Sequence, residues 1–146
     1  MSRFLRNLHP DFEAELTKLP LAELQSRGVK ALAFDLDDTL TPARSRQLSN
    51  RTITYLKQLG AAGFKLFLAS NAMVDITHLG AMIDATVIEA TLLSRKPMKS
   101  YFRRLIVASG CSPQEIAMIG NRTLTDILGA NRAGLITIKI RRTTQA

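Results

Sequence analysis

Val29-Lys30-Ala31-Leu32-Ala33-Phe34-Asp35-Leu36-Asp37-Asp38-Thr39-Leu40 is the stretch on which the fold turns. Its first six residues make a short, mostly apolar run that ends abruptly in a cluster of acids. That pattern marks a strand buried on both faces, followed by a polar turn. Four more runs of this kind follow, at Lys65–Ala69, Ala85–Ile88, Glu115–Ile119 and Leu135–Ile140. Helical spacing lies between them. Leu48 to Gly60 carries Ser49 as an N-cap and Ile53, Leu56 and Leu59 on one face. A short helix is expected around Val74 to Met82. Met98, Phe102, Leu105 and Ile106 mark another, closed by Gly110, and Thr123 to Ala133 a last one before Gly134. Strands alternating with helices define an α/β fold: a five-stranded parallel sheet in a three-layer, Rossmann-like arrangement, with helices on both faces.

The residues before Val29 read differently. Phe4, Leu8, Phe12 and Leu16 are spaced by four, as on a helical stripe, with Pro10 near the start of a second helical piece. A further short helix is expected from Pro20 to Arg27, with Gly28 just past its end. Residues 1–28 are thus a helical lead-in to a single domain spanning 1–146.

Composition narrows the function. The 146 residues include 46% apolar side chains, ordinary for a globular protein. The longest run without a charge is the ten residues from Leu105 to Gln114, half of what a transmembrane helix needs. No apolar segment follows Arg3 and Arg6 to make a signal peptide. One cysteine, Cys111, excludes an internal disulfide and any cysteine-based zinc cluster. The net charge of +8 predicts attraction to polyanions. Eight aromatic residues and no Trp leave little basis for a nucleic-acid stacking platform. The basic excess gathers at Arg3 and Arg6, at Arg44, Arg46 and Arg51, at Arg103-Arg104 and at Arg141-Arg142. Together with the Phe4/Leu5/Leu8/Phe12 stripe it raises peripheral contact with an anionic membrane as an expectation. Packing of that stripe on its own domain is the preferred alternative.

In a parallel sheet the ligand site lies beyond the carboxyl ends of the strands. Asp35-Leu36-Asp37-Asp38-Thr39 follows the first strand and Ser70-Asn71 the second. Lys96-Pro97 opens the helix after the third, and Gly120-Asn121-Arg122-Thr123-Leu124-Thr125-Asp126 follows the fourth. Carboxylates, hydroxyls and an ammonium at one end suit phosphoryl transfer through a covalent carboxylate intermediate. Asp35 is the candidate nucleophile and Asp37 the candidate acid/base. An anion attacking a phosphate needs charge neutralisation, so Mg²⁺ is the expected cofactor. Ser70, Lys96 and backbone N–H groups are expected to hold the phosphoryl oxygens, with Thr39 and Asn71 beside them as substrate-binding candidates.

The ordered set Asp35-Leu36-Asp37-Asp38-Thr39-Leu40, Ser70-Asn71, Lys96-Pro97 and Gly120-Asn121-(x)4-Asp126 resembles the haloacid dehalogenase (HAD) superfamily of phosphatases. Leu59 to Asn71 and Thr125 to Gly134 resemble its subfamily IIIA, YqeG-like branch, which includes relatives of phosphatidylglycerophosphate phosphatase. The resemblance covers nearly the whole chain. It implies Asp35 as nucleophile and metal ligand, and Asp37 as acid/base offering its backbone carbonyl to Mg²⁺. It implies Ser70 and Lys96 on the phosphoryl group. The family's fourth motif normally has an acid directly after Gly120, as a metal ligand, where this chain has Asn121. Asn121 and Asp126 complete the implied metal set, Asp126 directly or through water. The spacing leaves no room for a cap domain: about 30 residues separate the first two motifs and about 25 separate Ser70 from Lys96. An open site suits a phosphorylated head group at a membrane surface, in a cytoplasmic protein that meets the inner face peripherally. The alternatives are another phosphorylated substrate, or a weakly active binding module because of Asn121.

Overall fold

The computed structural model describes residues 2–42 and 45–141, so Arg44 and Arg142 of the basic clusters lie outside the described residues. Six parallel strands form one sheet: β1 (Phe12–Ala14), β2 (Ala31–Phe34), β3 (Lys65–Ala69), β4 (Thr86–Ile88), β5 (Ile116–Gly120) and β6 (Ile136–Ile140). Their order is β1-β6-β5-β2-β3-β4. Among the described residues six α-helices accompany them: α1 (Arg3–Asn7), α2 (Leu21–Ser26), α3 (Asn50–Ala61), α4 (Thr77–Met82), α5 (Lys99–Ser109) and α6 (Leu128–Ala133). The five expected strands and the helices between them are all present. Only α4 and β4 intervene between Ser70 and Lys96, so no cap is inserted there.

Side-chain alternation along β2 explains the layering. Leu32 and Phe34 point to one face, where they join Leu66, Leu68, Ile119, and Leu56 and Leu59 of α3. Ala31 and Ala33 point to the other, with Ala69 beside them. These small side chains let α5 approach closely, and Tyr101, Phe102 and Leu105 fill the space fully buried. Each such apolar side chain contributes roughly 1.5–3 kcal/mol by leaving water. Ser49 caps α3 as expected, its hydroxyl accepting from the Thr52 N–H at 3.1 Å. Gly110 ends α5 in the left-handed region at φ 67°, a conformation a Cβ disfavours.

The lead-in departs from the expected helical stripe, and the sheet has six strands rather than five. After α1, residues Phe12–Ala14 pair with Ile138–Ile140 of β6 as a parallel edge strand. The cause is long-range. Without β1, β6 would present an unpaired row of backbone groups on that side. Asp11 fixes the register: its carboxylate accepts from the Thr137 N–H at 2.9 Å, and its own N–H donates to the Thr137 hydroxyl at 3.0 Å. Asn131 of α6 donates to the carbonyls of Asn7 and His9, both at 2.8 Å. These bonds hold α1 beside the amino ends of the strands, with Phe4 and Leu5 exposed.

Candidate active site

All four motifs converge at the carboxyl ends of β2, β3 and β5. Directly after β2 the chain winds into a tight turn in which the N–H groups of Thr39, Leu40 and Thr41 all donate to the Leu36 carbonyl. Asp38 takes a positive φ of 64°, which Asp tolerates better than most residues. The turn keeps Asp35 and Asp37 on the cavity wall.

Lys96 is the centre of the arrangement. The residue is 3% exposed, and its ammonium donates to Asp35 Oδ1 at 2.8 Å and to Asp126 Oδ1 at 2.6 Å. Burial by itself drives a lysine pKa down, but the two carboxylates outweigh it and Lys96 ends above its ordinary value. Burial likewise lifts the Asp126 carboxyl; the Lys96 charge pulls it back, and the Asp35 charge adds to the rise. The three groups form a compact charge chain that keeps the ammonium ionised at neutral pH.

Each member is seated by its own element. Asn71, just past β3, clamps the Lys96 backbone: its amide donates to the Lys96 carbonyl at 2.9 Å and accepts from the Lys96 N–H at 2.8 Å. Both ends of a side chain expected beside substrate are therefore engaged on Lys96. Gly129 lets α6 come up against this segment, since a Cβ there would lie 2.9 Å from the Pro97 Cα. Asp126 sits in a π-type turn, Thr123–Ile127, in which the Ile127 N–H reaches back to the Arg122 carbonyl. Gly120 makes room for it, because a Cβ at that position would fall on the Asp126 carboxyl group. The remaining Asp126 oxygen accepts from the Arg122 N–H at 3.2 Å.

Thr39 was expected at the substrate as well. Its hydroxyl lies 3.5 Å from Asp35 Oδ2 and 3.3 Å from Asn121 Oδ1. One hydroxyl has one proton, so it serves only one of these oxygens at a time. Ser70 is buried, and its oxygen accepts from the Ala72 N–H at 3.0 Å, leaving the hydroxyl proton to donate elsewhere. Tyr101 stands beneath, donating to the Ile88 carbonyl at 2.6 Å. Burial pushes its phenol well above the ordinary value, so it stays neutral.

These residues border a cavity of about 470 Å³ whose wall includes Asp35, Asp37, Ser70 and Lys96, together with Arg46, Arg122 and Thr125. Sequence reasoning placed Arg46 only in a basic cluster and did not single out Arg122 or Thr125. No local pattern marks them, since the turn after β2 and the π-turn carry them to the wall. Asp37 Oδ1 and Arg46 Nε are both buried and without a hydrogen bond, 3.9 Å apart. Asp126 and Asn121 are not part of that lining. Among the described residues no group of three or more His, Cys, Asp or Glu side chains is gathered to hold a metal. The side-chain oxygen donors present are the carboxylate of Asp35 and the Asn121 carbonyl left over when Thr39 turns to Asp35. Hard oxygen donors few in number fit a cation that keeps much of its water, as Mg²⁺ does.

A parallel sheet with paired aspartates after its central strand, a lysine from the far side and an acid on a turn after the neighbouring strand is the architecture of the HAD superfamily. The 2-haloacid dehalogenase of Pseudomonas syringae pv. Tomato DC3000 superposes with a TM-score of 0.63 at 16% identity, over 81% of this chain and 89% of that one. A HAD phosphatase from Thermococcus onnurineus aligns at a TM-score of 0.57 and 25% identity, covering 68% and 49%. Within that class, the family model described as mitochondrial PGP phosphatase matches residues 6–145, and the chain belongs to this family. It is 27% identical over 133 residues to the probable phosphatase YqeG of Bacillus subtilis, covering 91% of this chain and 76% of the relative. It is 28% identical over 135 residues to the chloroplastic phosphatidylglycerophosphate phosphatase 1 of Chlamydomonas reinhardtii, covering 83% of this chain and 48% of the relative. The protein is a HAD-type phosphatase of the PGP phosphatase and YqeG-like branch.

Proposed function

We propose that the chain hydrolyses a phosphomonoester through an aspartyl-phosphate on Asp35, with the head group of phosphatidylglycerophosphate as its substrate. The observation that carries this reading is the Asp35–Lys96–Asp126 charge chain opening onto a wall that also bears Arg46 and Arg122. The wall holds two acids against three cations, so an anion is favoured there.

Asp35 attacks phosphorus while Asp37 gives its proton to the leaving oxygen, so the ester oxygen departs as a neutral hydroxyl. Asp37 then takes a proton from water, and that water attacks the phosphorus of the acyl phosphate, regenerating Asp35 and releasing phosphate. The orphaned Asp37 Oδ1 faces Arg46 Nε, and a substrate oxygen between them would satisfy both. Ser70 donates its free proton to a phosphoryl oxygen, and Lys96 offsets the charge that gathers there. Asn71 and Thr39 act as positioning residues, one on the Lys96 backbone and the other on the Asp35 and Asn121 oxygens. Asp126 anchors Lys96. Mg²⁺, when bound by Asp35, the Asp37 carbonyl and Asn121, supplies electrostatic neutralisation of the phosphoryl group.

The branch relationship to phosphatidylglycerophosphate phosphatases and the capless site support the lipid substrate. A third relative, the glyceraldehyde 3-phosphate phosphatase of Methanopyrus kandleri, is 33% identical over 97 residues, 62% of this chain and 42% of that one. A phosphate-release assay with Mg²⁺ on phosphatidylglycerophosphate, glyceraldehyde 3-phosphate and an aryl phosphate tests the reading. Preference for the lipid is expected. Preference for the triose phosphate overturns the lipid assignment, and no release from any ester overturns the phosphatase reading of the site.

A further inference from the structure

Ten large apolar side chains are exposed among the described residues, and they are not scattered. Six of them, Met73, Val74, Leu92, Leu93, Met98 and Leu124, lie on the three connections that leave the carboxyl ends of β3, β4 and β5. Leu92 and Leu93 are 72% and 83% exposed at the tip of a short turn closed by the Thr91–Ser94 bridge. Met73 is half exposed and also borders the catalytic cavity. Leu124 projects from the π-turn that carries Asp126. Single exposed apolar residues are normal, but a group this concentrated marks a contact surface.

We propose that this rim is a lipid-contact surface, on which the protein rests with its catalytic mouth facing an anionic bilayer. Two observations choose the occupant. First, the apolar residues flank the mouth from both sides of β2, so a protein docked on them would close the site. A bilayer that carries the phosphorylated head group delivers substrate to the mouth instead. Second, cations stand at the same mouth: Arg46 and Arg122 on the cavity wall, each with an aspartate within 4.0 Å, and exposed Arg95 next to Lys96. Apolar tips beside arginines match the interface of an anionic membrane. Asp75, an acid on the same connections, is turned onto the Thr77 N–H and hydroxyl. The N-terminal Phe4 and Leu5 are beside the amino ends of the strands, where contact with lipid would turn the mouth away from it. The orientation, and the first of these two arguments for a bilayer, rest on the lipid-substrate reading, whereas the apolar rim with its arginines does not.

Cosedimentation with phosphatidylcholine vesicles containing phosphatidylserine, which is neither substrate nor product of that reading, tests the surface. Wild type, Leu92→Gln/Leu93→Gln and Phe4→Gln/Leu5→Gln are compared, with aryl phosphate hydrolysis and sedimentation velocity measured on each. All four substituted positions are solvent-exposed, so folding is preserved. The rim variant should lose vesicle binding by roughly tenfold or more, with aryl phosphate turnover and sedimentation unchanged, and the N-terminal variant should bind as wild type. Equal binding by the rim variant, loss confined to the N-terminal variant, or an altered assembly state with unaltered vesicle binding each overturns the proposal. Rim-dependent binding by a protein that hydrolyses no ester supports the surface and removes only the lipid-substrate reading.

Discussion

The two ends of the sheet each carry a lysine–carboxylate pair, and they behave differently. At the amino ends, Lys30 before β2 meets Glu115 before β5 at 2.9 Å, with the lysine side chain 65% exposed. At the carboxyl ends, Lys96 meets Asp35 and Asp126 with almost no exposure. Water screens the first pair, so it adds little to stability. Nothing screens the second, so its three charges depend on one another. Removing one leaves a partner ionised in a low-dielectric interior. The same chemistry decorates one end of the molecule and constrains the other.

Removing each lysine sharpens this contrast most. Lys96→Met strands two buried carboxylates, and a loss of about 3–5 kcal/mol in unfolding free energy is expected, with phosphatase activity abolished. Lys30→Met should leave the denaturation midpoint and turnover almost unchanged. Chemical denaturation of both variants measures it, and equal losses would erase the distinction between the ends.

Gly120→Ala attacks the buried end without touching a charge. The added methyl would occupy the place of the Asp126 carboxyl group. Overpacking of this kind costs about 1–3 kcal/mol, and by displacing the anchor of Lys96 it should lower kcat far more than KM. Steady-state kinetics and a melting curve check it; wild-type kcat in a destabilised protein would detach Asp126 from catalysis.

The carboxyl end was only partly legible in the sequence. Asp35, Asp37, Ser70 and Lys96 could be placed because each stands at a fixed offset from an apolar strand. That Lys96 donates to Asp126 as well as to Asp35 was not legible. No local pattern reports which of several nearby carboxylates an ammonium 30 residues away will reach. Asn71 borders the cavity beside Ser70, but its grip on the Lys96 backbone was not legible for the same reason. At the other end the error was β1. Phe12 and Leu16 fit a helical spacing, and only the open side of β6, more than a hundred residues on, makes 12–14 a strand. The strands and long helices were legible because periodicity and capping are local.

Asn121→Asp tests how the buried end tolerates more negative charge. A carboxylate beside Asp35 should lower the Mg²⁺ concentration for half-maximal activity roughly severalfold. An unchanged midpoint in a Mg²⁺ titration would remove position 121 from the metal site.

The smallest effects lie in pH. The Lys30 hydrogen bond, with help from Ser112, holds Glu115 down to about 2. A depressed carboxyl adds stability above its unfolded value, and that contribution fades as pH falls from about 4.5 toward 2. Lys96 is raised, so its contribution is complete below 10.5 and fades only as pH rises through its folded value. Glu115→Gln should therefore flatten a slight acid-side slope in thermal stability, and with it the slight alkaline-side slope from Lys30, which Glu115 raises. An unaltered acid-side slope would contradict the assignment.

The central claim is that Asp35 carries the phosphoryl group while Lys96 and Asp126 hold its geometry. Asp35→Asn is nearly isosteric, keeps an acceptor for the Lys96 ammonium and leaves the Lys96–Asp126 pair in place, so it should fold. Acid-quenched enzyme is then analysed for a hydroxylamine-labile acyl phosphate during turnover of an aryl phosphate. The account predicts phosphate on Asp35 in wild type, and neither phosphoenzyme nor turnover in a folded Asp35→Asn protein. Turnover by folded Asp35→Asn, or a phosphoryl group mapped to Asp37 or Asp38, would contradict it.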